Sequence, residues 1–223
     1  MQESATVTRR SVLAGTVGVV GAGCIGGSDG GNGDDPQTLD THPVGQALAS
    51  QPRLGPDPAT ATIVAFEDPS CPRCAAFESE TVPKIKSELV DSGDAAYVVR
   101  TAPLVYPWGE PAIRALEATY ARDADAFWAL LAHYFDEQDA FDTENVRDRT
   151  ETFLTAETTV DGAAVVADVD AGTHDEAVQT DVSAAEAADV SGTPTVFLFR
   201  DGEYRTRATG SVSFEFVRRA LDL

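Results

Sequence analysis

From about residue 55 the chain alternates between short apolar runs and longer stretches of helical period. The first run, "ATIVAFED" (61–68), is β-branched and apolar for most of its length and is bounded by Pro58 and Pro69. A nearly unbroken apolar run of this length fits a buried strand. After Ser70, Cys71 and Pro72 comes "RCAAFESETVPKIKSELVDSG", in which Phe77, Val82, Ile85 and Leu89 return to one face of a helix. Pro72 suits the first helical turn and Gly93 the stop. Pro83 lies inside the pattern, and because the periodicity resumes beyond it, it predicts a kink rather than an end. A second strand is expected at "AAYVVRTA" (95–102).

Several helices are expected next, in "EPAIRALEATYARD", "DAFWALLAHYFDEQ", "TENVRDRTETFLTA" and a tail rich in Ala, Asp and Val that ends at "SAAEAADV". "SGTPTVFLFRDGEYRTRATG" predicts two strands joined at Asp201-Gly202, a strong tight-turn signal. "SFEFVRRALDL" closes the chain as an amphipathic helix. Strand, helix, strand, helical stretch, hairpin and helix together predict an α/β fold whose sheet is interrupted by a helical insertion at about residues 109–189.

Composition adds the surroundings. The 223 residues allow one domain with a proper hydrophobic core. The formal net charge is −21, from 37 acidic and 16 basic residues, and Lys occurs only at Lys84 and Lys86. Such a surface repels nucleic acid and anionic membranes. The acids are spread along the chain, as on a solvated surface, and the composition resembles that of proteins from salt-loving archaea, where screening at molar salt makes self-repulsion tolerable.

The N-terminal segment, residues 1–24, reads as an export signal. "TRRSVLAGTVGVVGAGC" sets Arg9 and Arg10 before an apolar run that is too short and too Gly-rich to span a bilayer. Thr8, Arg9, Arg10 and Leu13 resemble a twin-arginine signal, with Val12 where Phe is commoner. "GAGC" resembles a lipobox, with Gly21 at the position usually held by Leu or Val, which makes Cys24 the candidate lipid anchor. Residues 25–53, opening with "IGGSDGGNGDDPQTLD", hold too little apolar surface to offset the entropy of ordering and are expected to be a flexible tether to a domain over 54–223.

Candidate chemistry centres on "DPSCPRCAAF". If Pro72 begins a helix, Cys71 stands at its start, where unpaired N–H groups and the helix dipole favour a thiolate. Arg73 adds a positive charge beside it, while Glu67 and Asp68 oppose. Cys74, one turn in, is placed to resolve a mixed disulfide. Structural zinc wants four ligands, and the other candidates are lone histidines: His42 in the tether, and His133 and His174 in helical patterns. The pattern reads as a redox couple. A copper(I) pair and a small structural staple remain the alternatives, the staple gaining little because its loop is so short.

"VAFEDPSCPRC" followed far along the chain by "VSGTPTVFLFRDG" resembles the DsbA-like thiol:disulfide oxidoreductases of the thioredoxin fold. The likeness runs from about Leu54 to Leu223 and takes in "VVRTAPLVYP" and "DAFWALLAHYFDEQ". It implies that Pro194 is a cis-proline lying against the cysteines, and that Thr193 presents its backbone to an extended client chain. It also implies Cys71 as the attacking sulfur, Cys74 as the resolving one, no bound cofactor and no metal. Pro72 and Arg73 between the cysteines resemble the Pro-His of strongly oxidising members, which points to a disulfide donor.

Asp68 matches a common Asp of the family. Ala65, however, stands where many relatives carry a buried acid for proton transfer, which leaves water, Glu67 or Asp68 to serve. The implied partners are exported protein clients and a membrane redox protein that recycles the couple, at the extracytoplasmic face of the membrane. An extracytoplasmic reductase for cytochrome or copper-centre assembly and a copper(I)-binding module are the alternatives.

Overall fold

The computed structural model describes residues 37–210 and 212–223. Among the described residues five strands, β1 (Arg53–Leu54), β2 (Ala61–Glu67), β3 (Ala95–Thr101), β4 (Thr195–Arg200) and β5 (Glu203–Thr209), form one sheet in the order β1-β3-β2-β4-β5. Only β2 and β3 run parallel; β1 on β3, β4 on β2 and β5 on β4 are antiparallel. Every residue of β2 and β3 is buried, as expected of strands covered on both faces. The edge strand β5 instead alternates exposed and half-buried positions.

The crossover from β2 to β3 is a broken helix: α1 (Pro72–Glu80), α2 (Val82–Lys84) and a π-helical stretch Ile85–Val90. Thr81 at the break has φ −112° and its hydroxyl donates to the Val212 carbonyl at 2.8 Å. This is the kink expected at Pro83, which has no N–H to continue the ladder. Five helices then fill the gap between β3 and β4: α3 (Gly109–Tyr120), α4 (Ala124–Asp136), α5 (Val146–Glu157), α6 (Gly162–Ala171) and α7 (Asp175–Ala187). The Ala-, Asp- and Val-rich tail of the insertion is thus two helices. Asp161 caps α6 by accepting from Ala164 N, and Gly172 ends it at φ +66°, where the left-handed backbone favours glycine. Asp201 and Gly202 turn the hairpin at φ +53° and +79°, and α8 (Phe214–Ala220) starts at Ser213, whose hydroxyl accepts from Phe216 N.

Two cores flank the sheet. Ile63, Ala65, Tyr97 and Val99 face α1, α3 and α4 through Cys74, Phe77, Leu116, Phe127 and Leu130. Val64, Phe66, Val98, Phe197 and Phe199 face α7 and the N-terminal segment through Ala184, Ala185, Val44 and Leu48.

That second core corrects the tether boundary. The chain is packed from Gln37 onward: Tyr204 N donates to Gln37 O and Leu39 N to Gly202 O, each at 2.7 Å. His42 is buried among the rings of Phe197, Phe199 and Tyr204, and Val44 is wholly buried. The apolar anchors here are spaced singly among polar residues, so no period announces them. Residues 1–24 with Cys24, and 25–36 of the expected tether, lie outside the described residues.

Candidate active site

Cys71 is the N-cap of α1, with extended backbone at φ −85° and ψ 117°, and Pro72 follows at the first helical position. The position is set from both sides: Cys71 N donates to Asp68 O at 2.9 Å, and Cys71 O accepts from Cys74 N and Ala75 N. Its sulfur is aimed at the loop before β4, where the Thr193–Pro194 peptide is cis. Cys71 Sγ lies 3.3 Å from Thr193 O. The thiol can donate to that carbonyl; a thiolate instead needs donors, and they are present. The Cys74 thiol is the largest contributor, followed by the Thr193 hydroxyl and the backbone N–H groups of Cys74 and Arg73, and together they hold Cys71 down at about 5 against the cost of burial. Thr193 Oγ1 is buried with no hydrogen-bond partner among the described residues, which leaves its proton free to turn towards a Cys71 thiolate.

Arg73 therefore aids Cys71 through its backbone N–H. Its side chain is exposed, like Pro72, and makes no ion pair among the described residues. Cys71 keeps 4% of its surface accessible and Cys74 none. Burial, the hydrogen bond it gives to Cys71 and the nearby Glu67 carboxylate all push the Cys74 thiol far up. Two sulfurs one helical turn apart are thus driven in opposite directions. Both are free thiols here.

Asp68 is wholly buried and its carboxylate is spent on the backbone. Oδ1 accepts from Ser70 N at 2.8 Å and Ser70 Oγ at 2.6 Å, and Oδ2 from Leu104 N and Val105 N, both at 2.8 Å. Ser70 Oγ in turn accepts from Tyr106 N at 3.0 Å. A Cβ on Gly109 would meet Asp68 Oδ1 at 2.5 Å and Ser70 Oγ at 2.8 Å, so only glycine fits over this knot. Asp68 holds the loop before Cys71 against the loop after β3.

The second loop was not singled out from sequence. Leu104, Val105 and Tyr106 are exposed at 47%, 42% and 52%, and Tyr106 shares a groove of about 400 Å³ with Ser70, Pro72, Trp108 and Phe141. Three consecutive exposed apolar residues are unusual on so polar a surface. The only sequence signal was their run between Pro103 and Pro107. Of the histidines expected to be ordinary side chains, His133 stacks on Phe153 at 4.1 Å and His174 lies 3.3 Å from Asp168.

A family model described as thioredoxin matches residues 48–222. The chain is 28% identical over 153 residues to disulfide bond formation protein D of Bacillus subtilis (strain 168), a match that covers 68% of this chain and 69% of that protein. The crystal structure of oxidised BdbD from Bacillus subtilis is similar at a TM-score of 0.70 and 23% identity, covering 78% of this chain and 92% of that one. That of Chlamydia trachomatis DsbA is similar at a TM-score of 0.63 and 20% identity, covering 84% and 91%. At such identities the likeness is one of fold, a thioredoxin-like α/β sheet interrupted by helices.

Proposed function

The chain belongs to the thioredoxin family, and on that footing we propose that it is a thiol:disulfide oxidoreductase that hands the Cys71–Cys74 disulfide to exported protein clients. The single observation that carries this is the Cys71 sulfur at the start of α1, beside Thr193, held at about 5. A thiolate so stabilised favours the reduced form of the couple, and a couple with a stabilised reduced form is an oxidant. The name of the Bacillus subtilis relative, a disulfide bond formation protein, supports the same direction.

In this reading a client thiolate attacks Cys71, the Cys71–Cys74 bond breaks, and Cys74 leaves with the electron pair. The second client thiolate then attacks the client sulfur of the mixed disulfide and releases Cys71 as thiolate. Thr193 and Pro194 hold the client backbone beside Cys71, and Leu104, Val105 and Tyr106 receive its apolar side chains. The couple takes two electrons from the client, and a membrane redox protein accepts them and so restores the Cys71–Cys74 disulfide. Export on the paired arginines, lipidation at Cys24 and work in high salt complete the proposal. The absence of a third His, Cys, Asp or Glu arranged with the cysteines as a metal ligand, among the described residues, favours this reading over a copper(I) carrier.

The test is the reduction potential, measured in high salt against graded glutathione buffers. A value near about −120 mV marks a disulfide donor, and one near about −270 mV a reductant. The second value would replace the donor reading with the reductase.

A further inference from the structure

The loop after β3 is built to face outward. Between Pro103 and Pro107, which have no N–H, stand Leu104, Val105 and Tyr106, and each of their backbone N–H groups is tied to the segment before Cys71. Leu104 N and Val105 N donate to Asp68 Oδ2, and Tyr106 N donates to Ser70 Oγ. Two successive N–H groups gripping one oxygen form an anion nest. With the backbone drawn inward, the three apolar side chains are left in solvent, against the tendency of such groups to bury.

The other half of the carboxylate faces the redox loop. Asp68 Oδ1 accepts from Ser70 N and Ser70 Oγ, and Asp68 O accepts from Cys71 N. Asp68 and Ser70 are both wholly buried. Tyr106 O, 3.4 Å from Ser70 Oγ, accepts from Gly109 N at the start of α3. One acid thus fixes where the apolar loop stands relative to Cys71, and the groove lined by Tyr106, Trp108, Phe141 and Pro72 joins the two.

We propose that Asp68 is the positioning residue for client binding: it holds Leu104, Val105 and Tyr106 at a set reach from Cys71, so that clients carrying an apolar side chain beside the reacting cysteine are preferred. This rests on the oxidoreductase reading given above. The Asp68 carboxylate acts through the loop rather than on the sulfurs. A client strand laid beside Thr193 and Pro194 meets the loop with a Leu, Phe or Tyr side chain, and the area so buried counts towards binding only if the loop keeps its place. A loop free to fold its own apolar side chains inward satisfies them without a client.

Asp68→Asn keeps the size but not the acceptors. Asparagine has one acceptor oxygen, and its NH2 faces donors on the other side, so one of the two loops loses its hold. The probes are two synthetic peptides with a pair of cysteines, identical but for Leu or Ser next to the first. Oxidised full chain is mixed with excess reduced peptide and followed by Trp fluorescence, which gives a half-saturating concentration and a limiting rate. The wild type should half-saturate with the Leu peptide at about fivefold lower concentration than with the Ser peptide, as expected for partly burying one such side chain. D68N should lose that preference, with the change in the half-saturating concentration and not in the ratio of limiting rates. For the Leu peptide, D68N and Leu104→Ser should each raise the half-saturating concentration about fivefold and the double variant no further, because both act through one loop. Should D68N fail to fold, Ser70→Ala, which frees Tyr106 N and leaves the carboxylate, is expected to reduce the same preference. A wild type without the preference, a folded D68N or S70A that keeps it, or a rise of about twenty-fivefold in the double variant, as for independent sites, would overturn the role of Asp68 alone. A wild type that exchanges no disulfide with either peptide would overturn it together with the oxidoreductase reading.

Discussion

β3 carries two buried polar clusters back to back, and they are built on opposite principles. On one face Tyr97 gathers Glu67 and Glu78, acids with no counter-ion in the core. On the other, Arg100 and Asp181 form a sealed ion pair at 2.8 Å. Asp181 also accepts from Gln51 Nε2 at 2.9 Å and Thr101 N at 2.8 Å, and Arg100 reaches the Gln46 carbonyl. Burial still outweighs pairing there: Asp181 is pushed up to about 6 despite Arg100, and Glu117 beside them to about 7. The Arg100 cluster ties α7 and the N-terminal segment to the sheet by opposite charges, leaving Arg100 Nε and Thr101 Oγ1 without partners among the described residues. The Tyr97 cluster offers one phenolic proton to two acids, and Glu67 Oε2 has no partner among the described residues. Paired charges tie elements together, whereas acids gathered round one donor perturb one another.

The largest effect expected is on the reactive side. Cys71→Ser should abolish turnover in insulin reduction, and Cys74→Ser should accumulate mixed disulfides with clients, visible on non-reducing gels. A Cys74→Ser protein that trapped nothing would remove the exchange mechanism. On the opposite face, Asp181→Ala leaves Arg100 buried without its anion and should cost about 3–5 kcal/mol in denaturant unfolding, with the potential of the cysteine couple unmoved. A shift in potential would show that the two faces are not independent.

The third expectation concerns pH. Cys71 is depressed to about 5 when folded, so its contribution to the reduced form is complete above the unfolded thiol value and is lost as pH falls through about 5. At pH 7 roughly two of the four units are realised, about 3 kcal/mol. The oxidised form has no such thiolate, so reduced protein should be the more stable by that amount and the couple about 60 mV more oxidising, both gains fading between pH 7 and 5. Asp181 and Glu117, raised by burial, act with the opposite sign but equally in both forms, so they cancel from the difference. The smallest effect belongs to the apolar loop: Leu104→Ser or Tyr106→Ser should each weaken client peptide binding by about 1 kcal/mol, about fivefold, without moving the potential.

What could be read from sequence was local. The buried strands, the helix begun by Pro72, the kink at Pro83, the Asp201-Gly202 turn and the Cys71/Cys74 pair all announce themselves within a few residues. Tyr97 and Glu67 stand 30 residues apart; the parallel register pairs Tyr97 with Ile63 and puts Glu67 on the same face four residues further along β2, within reach of the long phenol, a placement no local pattern states. Asp68 drew notice as a family residue, but its work, binding Leu104 and Val105, depends on a loop 36 residues on. The segment from Gln37 to Ser50 read as tether because turns with single apolar anchors have no period.

That segment also decides which way the molecule points. Leu39 and Gln37 bond to the turn between β4 and β5, and β4 runs antiparallel to β2, whose far end leads to Cys71. Gln37 therefore stands at one end of the strands while the cysteines sit at the other, about 20 Å away at roughly 3.3 Å per residue. A label fixed at Gln37 would thus sit at the far end of the sheet from Cys71 and leave the exchange face uncovered.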